Sequence, residues 1–220
     1  MNKKKKILIA TGGTGGHVFP AYSLANYLIK NDYHVKLTTD KRGFNYIKDF
    51  KNLDLTKIPS SPLIRKNIFK FLFSLLIIKY SILRSIIFLL FNRPSIVFGM
   101  GGYSSFPVCI AAAILRIKFV IYENNLVIGK ANKYLLPFAK KIFVSYKDIE
   151  GISKKYFNKI LEIGNIVREE IINFKIENNR NIELDKIKIL VLGGSQAAKV
   201  FAEKLPKIFE KIQGSEIPIK

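Results

Sequence analysis

Gly12 to His17, GGTGGH, stands where an apolar run, Lys6 to Thr11, gives way to a helical pattern. Glycines at such a turn let the backbone approach an anion, and a helix N-terminus adds unbonded N–H groups and positive dipole charge. The chemistry this points to is phosphate handling. The device recurs at Gly99 to Gly102 and at Gly193–Gly194, each after another apolar run. One such turn carries little weight, because many α/β turns use glycine for steric reasons alone. Three at strand ends, two followed by hydroxyl or amide residues (Tyr103 and Ser104; Ser195 and Gln196), point to anion recognition. A Walker A loop is excluded, since its Lys and Ser/Thr pair is missing. The dinucleotide pattern GxGxxG fails too: counted from Gly13, its third glycine falls on Val18. Asp40, closing the second apolar run, would nevertheless suit a ribose hydroxyl, so a nicotinamide-dependent dehydrogenase stays on the table.

Two titratable groups stand at the ends of strand-like runs, His17 and Glu123. His17 lies at a helix N-terminus, where the dipole disfavours imidazolium; a neutral ring there can take a proton or hold a hydroxyl. Its plainer role would be helix capping. His34, the other histidine, begins a strand and reads as an edge residue without function. No cluster of His, Cys and carboxylates has metal-ligand spacing, so no metal or other cofactor is expected.

The elements that position these groups alternate β and α. Helical patterns run from Pro20 to Lys30, with Pro20 expected in the first turn, and from Ser104 to Leu115, near Gly129 to Leu136, and from about Ala198 to Lys211. Strands are expected at Val35–Thr39, weakly at Leu55–Ile58, then Ser95–Met100, Lys118–Tyr122, Lys141–Ser145, Leu161–Ile163 and Lys186–Leu192. Short, wholly apolar strands between helices imply a parallel sheet covered on both faces. The expected organisation is a first domain over 1–163 and a second over 164–220. The second would be incomplete, because one strand–glycine–helix unit cannot bury its own apolar faces.

At 220 residues the chain has room for one domain and part of another, and 49% hydrophobic residues are ample for a core. Cys109, the sole cysteine, favours a reducing compartment, and the lysine-rich start reads as lead-in to a buried strand, with no signal peptide. The net charge of +21 is spread along the chain, and no basic stripe interleaved with aromatics accompanies it, so nucleic acid is not an expected partner. Ile68 to Phe91 is long and apolar enough for a membrane span, but Lys79 and Arg84 sit inside it and it falls where a crossover is required. A spanning helix, a buried helix pair and a lipid-touching amphipathic surface compete, and peripheral contact is favoured.

The segments ILIATGGTGGHVFPAYSLANYL, VFGMGGYSSFPVCIAA, IYENNLVIGKANKYL, GNIVREEI and ILVLGGSQAAKVF, in that order, resemble the MurG family of peptidoglycan N-acetylglucosaminyltransferases from about Lys5 to Phe209. The resemblance implies a GT-B fold of two facing Rossmann-like domains, the first taking a polyprenyl-diphosphate acceptor and the second UDP-N-acetylglucosamine. It implies metal-independent, inverting transfer to the muramoyl 4-hydroxyl of lipid I, giving lipid II. By motif, Thr14, Gly15, Gly16 and Asn125 would contact the donor from the first domain, and Arg168 and Ser195 its diphosphate or nucleoside. Gly13, Gly101, Gly102, Tyr103 and Ser104 would face the acceptor diphosphate, and His17 or Glu123 would activate the hydroxyl. The family works at the cytoplasmic face of the inner membrane as a peripheral protein, which makes Ile68–Phe91, with Lys66, Lys70, Lys79 and Arg84, the expected patch for an anionic surface.

The sequence departs from the family pattern at four positions. The His and Gln of its HEQN-like segment are Tyr122 and Asn124, GNPVR is GNIVR with Ile166, and GGSQGA is GGSQAA with Ala197. The resemblance stops inside the donor domain, so transfer by residues 1–220 alone is not expected, and a separately encoded donor-domain fragment is an expected further partner. The alternative function is a membrane-bound module that binds polyprenyl diphosphate without catalysis.

Overall fold

A computed structural model of the chain describes residues 5–50, 53–63, 67–174, 190–193 and 197–213. Two compact units divide it, Met1–Asn173 and Phe174–Lys220. The first is built as β1 (Lys6–Ala10), α1 (Gly15–Lys30), β2 (His34–Thr39), α2 (Lys41–Ile47), β3 (Asp54–Lys57), α3 (Ile68–Asn92), β4 (Ile96–Gly99), α4 (Gly102–Ile114), β5 (Phe119–Glu123), α5 (Lys130–Leu135), β6 (Lys141–Val144), β7 (Ile160–Glu162) and α6 (Glu169–Ile172). All seven strands pair in parallel, in the order β3-β2-β1-β4-β5-β6-β7. The direction of winding reverses between β1 and β4, and the two glycine turns of the first unit leave the sheet there.

Two cores, one per face, account for the apolar strands. Leu8, Ala10, Val97, Phe119, Ile121 and Ile142 join one cluster, with Val108, Ala111 and Ala112 of α4. Ile7, Ile9, Val35, Leu37 and Tyr122 join the other, with Val18, Ala21 and Ala25 of α1. Along β1 the residues alternate between them, because successive side chains point to opposite faces, and both faces are covered, as a parallel sheet requires.

One expectation is corrected, one open choice is narrowed, and one helix is added. First, α1 starts at Gly15, so Pro20 is not in the first turn but inside the helix. It removes the N–H that would reach the Gly16 carbonyl. The turn tolerates this because the Asn124 side chain donates to that carbonyl at 3.1 Å. Second, Ile68–Asn92 is one continuous helix, neither a buried pair nor buried overall. Its inward face carries Ser74, Ser81, Ser85 and Leu89, and each serine hydroxyl bonds a carbonyl of its own helix. Small, self-satisfied side chains let α3 lie close on α4. The large residues Phe69, Leu72, Phe73, Leu76, Tyr80, Leu83, Ile87 and Phe91 point outward. Third, the short helix α2 carries no strong apolar period and went unexpected; the Asp40 carboxylate caps it by accepting from Gly43 N.

In the second unit α7 spans Ala197–Gln213. Of the strand expected at Lys186–Leu192, the described part, Leu190–Leu192, is not in a strand, and the remainder lies outside the described residues.

Candidate functional site

The two glycine turns of the first unit meet at the reversal point between β1 and β4. Gly12, Gly13, Gly101 and Gly102 all have positive φ. A Cβ on Gly102 would stand 3.2 Å from the Gly12 carbonyl, and one on Gly101 would stand 3.0 Å from the His17 ring. The imidazole is therefore packed against the second turn while its backbone belongs to the first. Each turn opens a helix, and the first-turn N–H groups of Gly15 and Gly16 have no intrahelical carbonyl within reach. In an open α/β sheet this reversal point is where ligands bind.

Burial lowers the pKa of His17, a shift opposed in part by the Glu123 charge and a hydrogen bond with the Met100 backbone. A neutral imidazole at pH 7 follows. With Tyr103, Glu123, Asn125, Lys130 and Asn132 it lines a cavity of about 170 Å³.

Glu123 ends β5 almost fully buried, and both its oxygens are occupied. One accepts from Asn125 N at 3.2 Å and Asn125 Nδ2 at 2.6 Å; the other from Gly129 N at 2.8 Å and Asn132 Nδ2 at 3.0 Å. Four donors on one buried carboxylate make it the organiser of the loop from Asn124 to Gly129. That loop carries Asn125 to the cavity. Asn132 also donates to the Tyr122 carbonyl at 3.0 Å, and its own Oδ1 is buried without a partner among the described residues.

Asp40 is equally committed. One oxygen accepts from Gly13 N at 3.0 Å and Gly43 N at 2.8 Å, the other from Ser60 Oγ at 3.3 Å. It braces the first glycine turn, so the ribose role that kept a dehydrogenase in play has no free carboxylate to perform it. Ser104 belongs to the same bracing: it is buried, 3.1 Å from Ser60 Oγ, and a Cβ on Gly12 would meet its Oγ at 2.4 Å. Tyr103, the residue before it, is half exposed at the cavity.

Arg168 lies to the side, with its guanidinium carbon 5.0 Å from the centre of the Phe19 ring on α1. It shares a groove with Tyr22, Asn26 and Glu169 rather than the cavity of His17. Ser195 lies outside the described residues. The structure thus brings Gly13, Thr14, Gly15, Gly16, His17, Gly101, Gly102, Tyr103, Glu123 and Asn125 to one end of the sheet and sets Arg168 beside it. Sequence reasoning missed Lys130 and Asn132. A lysine opening a helix after Gly129 was a visible signal; an asparagine inside a polar helix was not. Among the described residues no group of three or more His, Cys, Asp or Glu could hold a metal ion.

Residues 7–144 match the glycosyltransferase family 28 N-terminal domain. A protein of Rickettsia felis named UDP-N-acetylglucosamine--N-acetylmuramyl-(pentapeptide) pyrophosphoryl-undecaprenol N-acetylglucosamine transferase is 40% identical over 212 residues, 92% of this chain and 56% of that protein. One of the same name from Pelagibacter ubique is 37% identical over 198 residues, 90% of this chain and 54% of that protein. The crystal structure of Acinetobacter baumannii MurG superposes with a TM-score of 0.65 at 25% identity, covering 92% of this chain and 54% of that one. The chain therefore spans little more than half the length of the relatives it matches.

Proposed function

The chain belongs to glycosyltransferase family 28, and from that premise we propose that its first unit is the acceptor wall of an enzyme that transfers N-acetylglucosamine from UDP-N-acetylglucosamine to lipid I. The observation that carries this is the convergence of two glycine turns on His17 at the sheet's reversal point. Gly13, Gly101, Gly102 and Tyr103 face the acceptor diphosphate, with Ser104 supporting them from behind. Thr14, Gly15, Gly16 and Asn125 face the donor, joined by Arg168 and Ser195. Residues 164–220 begin the donor wall.

In the transfer, the muramoyl 4-hydroxyl oxygen attacks the anomeric carbon, the bond to UDP breaks, and UDP leaves with its electron pair. His17 takes the hydroxyl proton. Of the two groups proposed for that step it is the better suited, because its ring is neutral while both Glu123 oxygens already hold N–H donors. A base of this kind contributes about 10²–10⁴-fold in rate. The outward face of α3, with Lys70, Lys79 and Arg84, rests on the anionic cytoplasmic membrane surface that carries the acceptor.

Transfer needs both walls, so turnover is measured with the donor wall supplied, either in one chain or as a separate fragment, using a lipid I analogue and UDP-N-acetylglucosamine. Lipid II formation that collapses in His17→Asn supports the proposal; unaffected turnover in that variant removes His17 from the chemistry. Acceptor binding without turnover would favour the non-catalytic module.

A further inference from the structure

We infer that Tyr122 is a positioning residue whose phenol latches the segment Gly164–Arg168 to the end of the sheet and so sets where Arg168 stands. The inference deepens the proposed function, since Arg168 is the residue given there to the donor diphosphate.

Tyr122 lies in β5 with its ring in the α1-side core, 4% exposed. Its phenol has one hydrogen and two acceptor sites, and three polar groups stand around it. The O–H donates to the Gly164 carbonyl at 3.2 Å, and the Ile166 N–H donates to the phenol oxygen at 3.2 Å. Ser145 Oγ lies 2.9 Å away, a contact in which either hydroxyl can donate. One side chain thus grips the main chain at two points two residues apart. Gly164, with φ +76°, turns the chain into this grip, and the Ile166 side chain packs against the same core as the Tyr122 ring. Arg168 follows two residues on and opens α6, its guanidinium over Phe19. Phe19 fills the space beside Gly15, where a Cβ would stand 3.0 Å from its ring. The latch therefore fixes Arg168 relative to the helix start that faces the donor.

The contact also constrains which residue can stand at 166. A proline at 166 would have no N–H to offer, so the phenol at 122 and the non-proline residue at 166 are two halves of one interaction.

The test uses the chain itself, labelled for NMR, as wild type, Tyr122→Phe and Ile166→Pro. Tyr122→Phe keeps the ring and removes the oxygen. The Ile166 amide should then exchange about tenfold faster, the loss expected of one buried hydrogen bond, while the Ile121 amide keeps its protection. The Arg168 Nε–H resonance should move to mobile-side-chain values, and Ile166→Pro should free Arg168 in the same way with the phenol intact. Titrated inorganic pyrophosphate should shift Arg168 in the wild type with several-fold tighter binding than in Tyr122→Phe, at a similar melting temperature. Unchanged Ile166 exchange in Tyr122→Phe overturns the latch. A wild-type Arg168 that ignores pyrophosphate removes its donor role instead, and leaves the latch to be decided by the exchange result.

Discussion

The Asn124 side-chain amide donates at 3.1 Å to the Gly16 carbonyl, the oxygen that Pro20, four residues further along α1, leaves without an intrahelical donor. A defect in one helix is thereby the anchor for a loop leaving another strand. The loop is the one that Glu123 organises from beneath, and it places Asn125 beside His17. Proline inside α1 and amide side chains after β5 are one arrangement, distributed over two distant stretches of chain.

This makes the two positions interdependent. Asn124→Ala should cost about 1 kcal/mol, the net worth of one hydrogen bond at a partly exposed site. In a Pro20→Ala background, where the new backbone N–H restores the intrahelical bond to Gly16, the same substitution should cost close to nothing. Urea midpoints of the four proteins in the cycle measure the coupling; additive losses would contradict the arrangement.

The lowered pKa of His17 has a stability consequence. Its folded-state value lies below the unfolded value of about 6.5, so the unfolded chain takes up the proton first as the pH falls. Its contribution is complete above pH 6.5, declines as the pH drops below that value, and is fully lost once the folded-state pKa is passed. Melting temperatures from pH 8 to pH 5 should decline less steeply in His17→Gln than in the wild type.

Glu123→Gln separates a structural carboxylate from a catalytic one. Glutamine presents one oxygen and an NH₂, so one pair of N–H donors would face another donor in a buried site. A loss of about 3 kcal/mol in unfolding free energy is expected from denaturant titration. A variant of wild-type stability that nevertheless lacks turnover would instead make Glu123 the base.

The exposed face of α3 should bind anionic vesicles. Lys70, Lys79 and Arg84 are exposed beside its outward aromatic and aliphatic residues. At about 1 kcal/mol for each basic residue near the surface, neutralising all three to Gln should weaken binding roughly a hundredfold at low salt. Phe73→Ser with Leu76→Ser should reduce the part that survives high salt. Flotation with phosphatidylglycerol vesicles, against neutral vesicles as control, reads both.

Much of the first unit was legible because its strands are short, apolar and separated by glycine turns, a pattern that only a covered parallel sheet satisfies. The start of α1 was misplaced, since proline is ordinarily read as a first-turn residue and the amide that excuses it inside the helix comes from a residue more than a hundred positions away. The buried face of α3 stayed open for a related reason. Its outward residues are as apolar as a core, and the inward ones are serines, so composition alone could not say which face is buried. Packing on α4 decided it.

By itself the sequence determined that glycine turns end the strands, that His17 and Glu123 stand at strand ends, and which family the ordered segments resemble. These are local matters, set by residue type and spacing along the chain. Only the tertiary structure decided that Asp40 braces a turn, that Glu123 is saturated with donors, and that Tyr122 and Ile166 form one contact. Each depends on which N–H groups come within about 3 Å of a given oxygen, and chain folding brings those groups together from positions whose separation carries no periodic signal.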